Sequence, residues 1–125
     1  ENTLALVNAG HCPAAAVMNE KPSFLKLQGL ALGLDKGKIF NRVLTKKIYP
    51  LASGDVIVFY TDGVVEAINR EGTQFGYDRL LDVVQQFRSE SAKKIKDEIF
   101  TAVNRFSETG GAIKDDLTLV VVKKR

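Results

Sequence analysis

The residues of this chain with the means to do chemistry are acidic, and they stand at the ends of apolar runs. In Ser53-Gly54-Asp55-Val56-Ile57-Val58-Phe59-Tyr60-Thr61-Asp62-Gly63-Val64-Val65-Glu66 a turn launches a buried strand that delivers Asp62 at its C-terminal end. Gly63 lets the backbone turn sharply into a short helix over 64–69, and Glu66, four residues beyond Asp62, returns to the same face. Two like charges held together are costly unless a proton or a cation joins them. The competing reading is that Asp62 only caps the helix, Asp being among the best N-cap residues; local chemistry alone favours the cap.

A second acidic site is Lys114-Asp115-Asp116-Leu117-Thr118-Leu119, where two adjacent acids lead into another apolar run. Neighbours in an extended chain point opposite ways, so at most one of the two faces any given site. Alone this reads as a solvated turn. Paired with Asp62, it gives Asp115 and Asp62 each at the end of a core strand, and all-oxygen ligation of that kind suits Mg²⁺ or Mn²⁺ rather than zinc. Asn8-Ala9-Gly10-His11-Cys12-Pro13 carries the one His and the one Cys. A lone histidine is more often a structural hydrogen-bonding group than a ligand, and a Cys-His nucleophile here lacks an orienting third group. Gly29-Leu30-Ala31-Leu32-Gly33-Leu34 is apolar and lacks the Lys-Ser/Thr of a phosphate loop, so it reads as a turn.

The elements that must position these residues follow from periodicity. Strands are predicted at 3–7, 14–18, 24–27, 43–48, 56–60 and 117–122. The 56–60 and 119–122 runs are almost continuously apolar, which predicts strands covered on both faces and, since both abut acids, neighbours in the sheet. Tyr77, Leu80, Leu81, Val84 and Phe87 recur at helical spacing, as do Ala92, Ile95, Ile99, Val103 and Phe106, with Gly110 and Gly111 stopping the second helix. Strands, then a helix pair, then one long-range strand argue for an α+β layered fold rather than a βαβ repeat.

Composition excludes several classes. With 45% hydrophobic and 26% charged residues the chain is one globular domain. A single Cys builds no disulfide framework and fits a reducing, cytoplasmic setting. No run approaches a membrane span. The net charge of +3 arises from 18 basic and 15 acidic residues without a basic stripe interleaved with aromatics, which argues against nucleic acid. The one Met is Met18 and the chain opens at Glu1 just before strand-forming sequence, so it reads as a piece of a longer polypeptide.

Taken in order, Asn8-Ala9-Gly10-His11, Leu32-Gly33, Gly54-Asp55, Tyr60-Thr61-Asp62-Gly63-Val64-Val65-Glu66-Ala67, Phe75-Gly76 and Asp115-Asp116-Leu117-Thr118-Leu119 resemble the C-terminal half of the SpoIIE-type bacterial phosphatases of the PPM superfamily, over about 3–123. The resemblance implies an incomplete four-layer α-β-β-α sandwich with antiparallel sheets, residues 1–125 being the C-terminal portion of a single domain. It implies two Mn²⁺ or Mg²⁺ ions per complete domain. Asp62 matches the metal-binding Asp of the family's Thr/Ser-Asp-Gly turn and Asp115 the first Asp of its Asp-Asp/Asn-x-Thr motif. Glu66 matches an acidic position near an additional, weaker metal; Gly63, Asp116 and His11 are further candidates at or behind the metals, and Thr118 supports the strand. No residue serves as a covalent nucleophile.

The activity so implied is hydrolysis of phosphoserine or phosphothreonine on a regulatory protein in bacterial signalling, the substrate being an anti-anti-sigma-like regulator. Lys36 to Lys47 is the expected contact surface. The family's bridging Asp belongs to an N-terminal half that this sequence lacks, so the chain alone is expected to bind metal weakly and to be inactive. The alternative is a catalytically silent phosphatase-like module that associates with its missing half, a second copy of itself or a regulator.

Overall fold

Alternation along two central strands divides the apolar side chains between two interfaces. The computed structural model describes residues 2–108 and 116–125. In chain order these form β1 (Thr3–Val7), β2 (Ala14–Met18), β3 (Lys21–Leu25), α1 (Lys38–Val43), β4 (Lys46–Pro50), β5 (Val56–Tyr60), α2 (Gly63–Glu66), α3 (Gly76–Gln86), α4 (Ala92–Glu108) and β6 (Leu119–Lys123). Strands β3, β2, β5 and β6 lie side by side in one antiparallel sheet, and β1 pairs with β4 in a second.

Ala15 and Val17 of β2 and Val56, Val58 and Tyr60 of β5 face the helices, where they meet Leu80 and Val84 of α3 and Ile95, Ile99 and Val103 of α4. The alternate residues Ala14, Ala16 and Ile57 face the other way and meet Leu4, Leu6 and Tyr49 of the two-stranded sheet. Three consecutive alanines keep β2 thin where it is covered on both sides. The order of layers is therefore helices, sheet, sheet, with both sheets antiparallel: three layers of the expected α-β-β-α sandwich among the described residues. On the outward face of the small sheet Val7 and Ile48 are exposed. The chain's accessible surface is 7951 Å², against roughly 6,600 Å² for a self-contained domain of this mass.

Strand β5 is buried along its length and pairs with β6 from Val56↔Lys123 to Tyr60↔Leu119, as its apolar run predicts. Strand β6 departs from expectation. Leu119 and Val121 pack towards the helices, but Val120 and Val122 are 53% and 37% exposed, because β6 is the edge strand and lies beyond the reach of the two-stranded sheet. The strand expected at 24–27 runs instead over Lys21–Leu25, paired to β2 through a two-residue turn in which Asn19 and Glu20 both take positive φ. The strand expected at 43–48 begins only at Lys46, since Val43 ends α1. That helix is nucleated by Asp35, whose Oδ2 accepts hydrogen bonds from the amides of Gly37, Ile39 and Phe40. Helix α2 stops at Glu66, short of Asn69. Gly110 and Gly111 lie outside the described residues. No helix among the described residues is long and apolar enough to cross a membrane.

At the end of the sheet away from Asp62, buried Asp55 accepts from the amides of Asn19 and Ala52, both at 2.8 Å, and so ties the β2–β3 turn to the start of β5. Lys123 Nζ donates to the carbonyls of Arg88 and Glu90 in the turn between α3 and α4. Replacing Asp55 with Ala orphans two amides in the core margin, so Asp55→Ala should lower stability by about 3 kcal/mol in urea unfolding followed by circular dichroism. A loss below about 0.5 kcal/mol would show that these bonds are not needed to hold the turns.

Candidate metal centre

Beyond Tyr60 and Leu119 the ladder between β5 and β6 continues through one side chain. Thr61 donates its amide to the carbonyl of Thr118 at 3.1 Å. Its hydroxyl donates to the carbonyl of Asp116 at 2.8 Å and accepts from the amide of Thr118 at 3.0 Å. A single hydroxyl thus uses both donor and acceptor capacity on the facing chain, and the two strand ends stay together past the last sheet pair. A threonine suits this place because its branched Cβ fixes χ1 and favours the strand.

Asp62 then enters helical backbone at φ −55° and ψ −30°, and its carbonyl accepts from the amides of Val65 and Glu66 at 2.9 Å. Gly63, Val64 and Val65 are buried, which fixes the turn, while the carboxylates of Asp62 and Glu66 face outward. Asp62 Oδ1 accepts from the adjacent Gly63 amide at 3.0 Å. A helix cap ordinarily reaches the second or third helical amide, so the cap leaves most of this carboxylate's capacity unused. No cationic side chain among the described residues pairs with Asp62 or Glu66.

Two groups beside the pair register its field. Burial, and then Asp62 and Glu66, push the Cys12 thiol above its ordinary value, so it stays protonated at neutral pH. That removes the thiolate a Cys-His nucleophile needs. Burial raises the Tyr77 phenol too, with Cys12, Glu66 and Asp62 adding to it. Tyr60, raised chiefly by burial, donates its hydroxyl to the carbonyl of Pro13 at 2.9 Å and so fixes the Cys12-Pro13 segment against β5. Tyr77 has helical spacing with the core residues of α3, yet it is 46% exposed in the first turn of that helix and stacks edge-on to Phe24, with ring centroids 5.5 Å apart. Spacing alone gave no sign that it borders the acids.

His11 is exposed, and its backbone is held by Asn8, whose side chain accepts from the His11 amide at 2.7 Å and donates to its carbonyl at 2.9 Å. With Cys12, Leu6 and Phe59 it lines a cavity of about 80 Å³, room for water rather than for a substrate. Asp116 is exposed, with its carbonyl on Thr61. Asp115 lies outside the described residues. Among the described residues no three His, Cys, Asp or Glu side chains converge as a metal requires. They place Asp62 and Glu66 on one turn at the end of β5, with Cys12 and Tyr77 close enough to feel their charge and the chain at Asp116 clamped alongside. The donors are carboxylate oxygens in a negative field, and that fits a hard divalent cation.

The solved structures similar to this chain share its fold. They include the SiaA-PP2C domain of Pseudomonas aeruginosa, 20% identical with a TM-score of 0.77 over 99% of this chain and 47% of that one. The RsbU and RsbW domains of Rv1364c from Mycobacterium tuberculosis are 23% identical, with a TM-score of 0.76 over 99% of this chain and 33% of that one. The phosphatase domain of the cell fate determinant SpoIIE from Bacillus subtilis, presoaked with Mn, is 20% identical, with a TM-score of 0.67 over 98% of this chain and 50% of that one. The chain thus spans half or less of each. No curated protein matches it. The family model of stage II sporulation protein E matches residues 1–125, so the ordered motifs, the stacked antiparallel sheets and the family match agree that the chain belongs to the SpoIIE family of PP2C-type phosphatase domains.

Proposed function

We propose that this chain is the C-terminal portion of a single SpoIIE-like phosphatase domain and that, within it, Asp62 and Asp115 hold Mn²⁺ or Mg²⁺, two ions per complete domain. The reaction is hydrolysis of phosphoserine or phosphothreonine on a regulatory protein in bacterial signalling, an anti-anti-sigma-like protein being the substrate. The observation that carries this reading is the Thr61 clamp, which draws the strand end bearing Asp62 to the segment that follows Asp115.

The chemistry follows from charge. A phosphate monoester is an anion, and Asp62 and Glu66 add negative charge beside a thiol and a phenol that burial already raises. The carboxylates therefore repel such a substrate unless cations intervene. Divalent ions, when bound, lower the pKa of a water and neutralise charge developing on the phosphoryl oxygens. The chain's own part is to keep the carboxylates in place: Thr61 holds the Asp62 strand end beside the chain at Asp116, buried Gly63 to Val65 fix the turn, and Glu66 adds to the negative field from the same face. Asp116 and His11 remain at the rim, and Cys12 stays a thiol. Because the chain spans about half of the PP2C domains it resembles, the remaining ligands are proposed to lie outside it.

A second reading, a silent phosphatase-like module that associates with another protein or with a second copy, is favoured by the exposed apolar residues Val7, Ile48, Val120 and Val122 on its two sheets. Activity separates the two. In a polypeptide extended to the length of the related domains, p-nitrophenyl phosphate hydrolysis should require Mn²⁺ or Mg²⁺ and stop with EDTA. Asp62→Asn should lower it at least about a hundredfold, and Glu66→Gln should mainly raise the metal concentration needed. Full activity of Asp62→Asn would remove the metal assignment, and an inactive wild type that binds a partner would favour the module.

The clamp has its own test. Thr61→Val leaves the Thr118 amide and the Asp116 carbonyl without the hydroxyl, which should cost about 1–3 kcal/mol in stability and raise the Mn²⁺ concentration at half activation several-fold. Thr61→Ser, which keeps the hydroxyl, should restore most of both. Equal metal dependence in Thr61→Val and wild type would show that the clamp does not position the centre.

A further inference from the structure

Between β3 and β4 the chain makes an excursion whose neck is closed where Thr45 Oγ1 donates to the carbonyl of Gln28 at 3.3 Å. The first residues of the excursion press against the turn beside the candidate centre. A Cβ on Gly29 would stand 1.6 Å from the carbonyl oxygen of Asn8, and one on Gly10, where φ is +85°, would stand 2.6 Å from Ala31 Cβ. Only glycine permits both approaches. That turn leads directly into His11 and Cys12, and the next residue, Pro13, is held by the Tyr60 hydroxyl at 2.9 Å, two residues before Asp62. The excursion is therefore rooted in the wall of the centre.

The charge of the stretch from Leu32 into the first two residues of β4 is lopsided. Lys36, Lys38, Arg42, Lys46 and Lys47 stand against a single acid, Asp35. Asp35 is spent on its own backbone: three amides hold its carboxyl below the usual range, and it pairs with none of the cations. Among the described residues no carboxylate neutralises any of the five; Lys47 lies over the ring of Tyr49 at 5.1 Å. Over residues 32–47 the excess of cations is larger than the net +3 of the whole chain, so the remainder is on balance acidic. Among these cations Leu32, Leu34 and Ile39 are 76%, 72% and 55% exposed, and α1 buries none of its residues. A helix with nothing buried is not there for the core, and apolar side chains so exposed mark an interaction surface.

We propose that residues 32–47 form the docking surface for the phosphoprotein substrate, and that the face it takes is acidic and presents apolar side chains to Leu32, Leu34 and Ile39. This rests on the phosphatase reading above. Nucleic acid would call for exposed aromatic rings between the cations, but the one aromatic of the segment's helix, Phe40, is half-buried. A membrane surface calls for a longer amphipathic helix than the six residues of α1. Recognition and chemistry are thereby separated: a cationic approach steers an acidic protein towards a centre whose own field is negative, and the apolar contacts hold it.

The test uses the 125-residue chain and two short fluorescent peptides sharing a central phosphoserine, one flanked by Glu and Leu and one by Gln and Ala. By fluorescence anisotropy the acidic peptide should bind at least about tenfold tighter, and more weakly as salt rises. The triple substitution Lys36→Glu, Lys38→Glu, Arg42→Glu should abolish that preference, and Leu32→Ser with Leu34→Ser should weaken it several-fold at unchanged salt dependence. Equal binding of the two peptides, or an unaltered preference in the triple variant, would overturn the proposal. So would cation-dependent retention of the chain on phosphatidylserine-rich vesicles with no binding of the acidic peptide. Peptide binding is read without turnover, so an inactive enzyme in p-nitrophenyl phosphate hydrolysis would strike the phosphatase reading alone. In an active extended polypeptide the triple variant should leave that small-substrate rate unchanged.

Discussion

Two strand ends that lie more than fifty residues apart in sequence are held together by the hydroxyl of Thr61, and the rest of the candidate centre takes its geometry from that contact. Bringing such distant segments together costs loop-closure entropy. The β5–β6 ladder and the apolar face it shares with α3 and α4 offset that cost. Once the ladder exists, the extra two bonds of Thr61 act locally and place the acidic turn. Asp62 is positioned by its backbone, and beyond the Gly63 amide its carboxylate makes no ion pair among the described residues, which leaves it capacity to hold a cation.

The opposite end of the same strand pair is fixed by different chemistry. Asp55 gathers two turns under the sheet, and Lys123 fastens β6 to carbonyls in the turn between α3 and α4. The ladder is thus tied down at both ends, by the Thr61 clamp at one and by Asp55 and Lys123 at the other, so the side chains at the acidic end sit on rigid supports. The charges are sorted in space as well. Among the described residues, carboxylates without cationic partners stand at the end of β5, and cations without acidic partners stand on the excursion between β3 and β4 and on the first residues of β4. The two surfaces share a boundary at the Asn8 to Cys12 turn, where close backbone approach requires Gly10 and Gly29.

Much of this was legible in the sequence, and the parts that were not have identifiable causes. The continuous apolar run of β5, the helical periods of α3 and α4, and the Asp-Gly turn each rest on patterns that local sequence carries, and each stands where expected. The resemblance to SpoIIE-type domains is borne out by the family match and by the fold. The covering of β6 was misread because an apolar run reports the character of a strand and not its place in a sheet, and β6 lies at the edge. Helix α1 was missed because Val43 and its β-prone neighbours suggested a strand, while the deciding interaction was the Asp35 carboxylate on three amides. Tyr77 fits the helical period of the core, but its position in the first turn of α3 puts it beside the acids instead, a tertiary fact without a local signal. Asp115, on which the ligand pair depends, lies outside the described residues.

On the proposed reading one cation site is shared between the end of β5 and the start of β6. The most direct measurement is a titration of the ¹⁵N-labelled chain with Mn²⁺, whose unpaired electrons broaden the amide resonances of nearby residues. The account predicts that the signals of Asp62, Gly63 and Glu66 and those of Asp116 to Thr118 fade together at the same Mn²⁺ concentration, with residues around Asp55 and Lys123 unaffected. Broadening confined to one of the two segments, or centred elsewhere on the molecule, would contradict it.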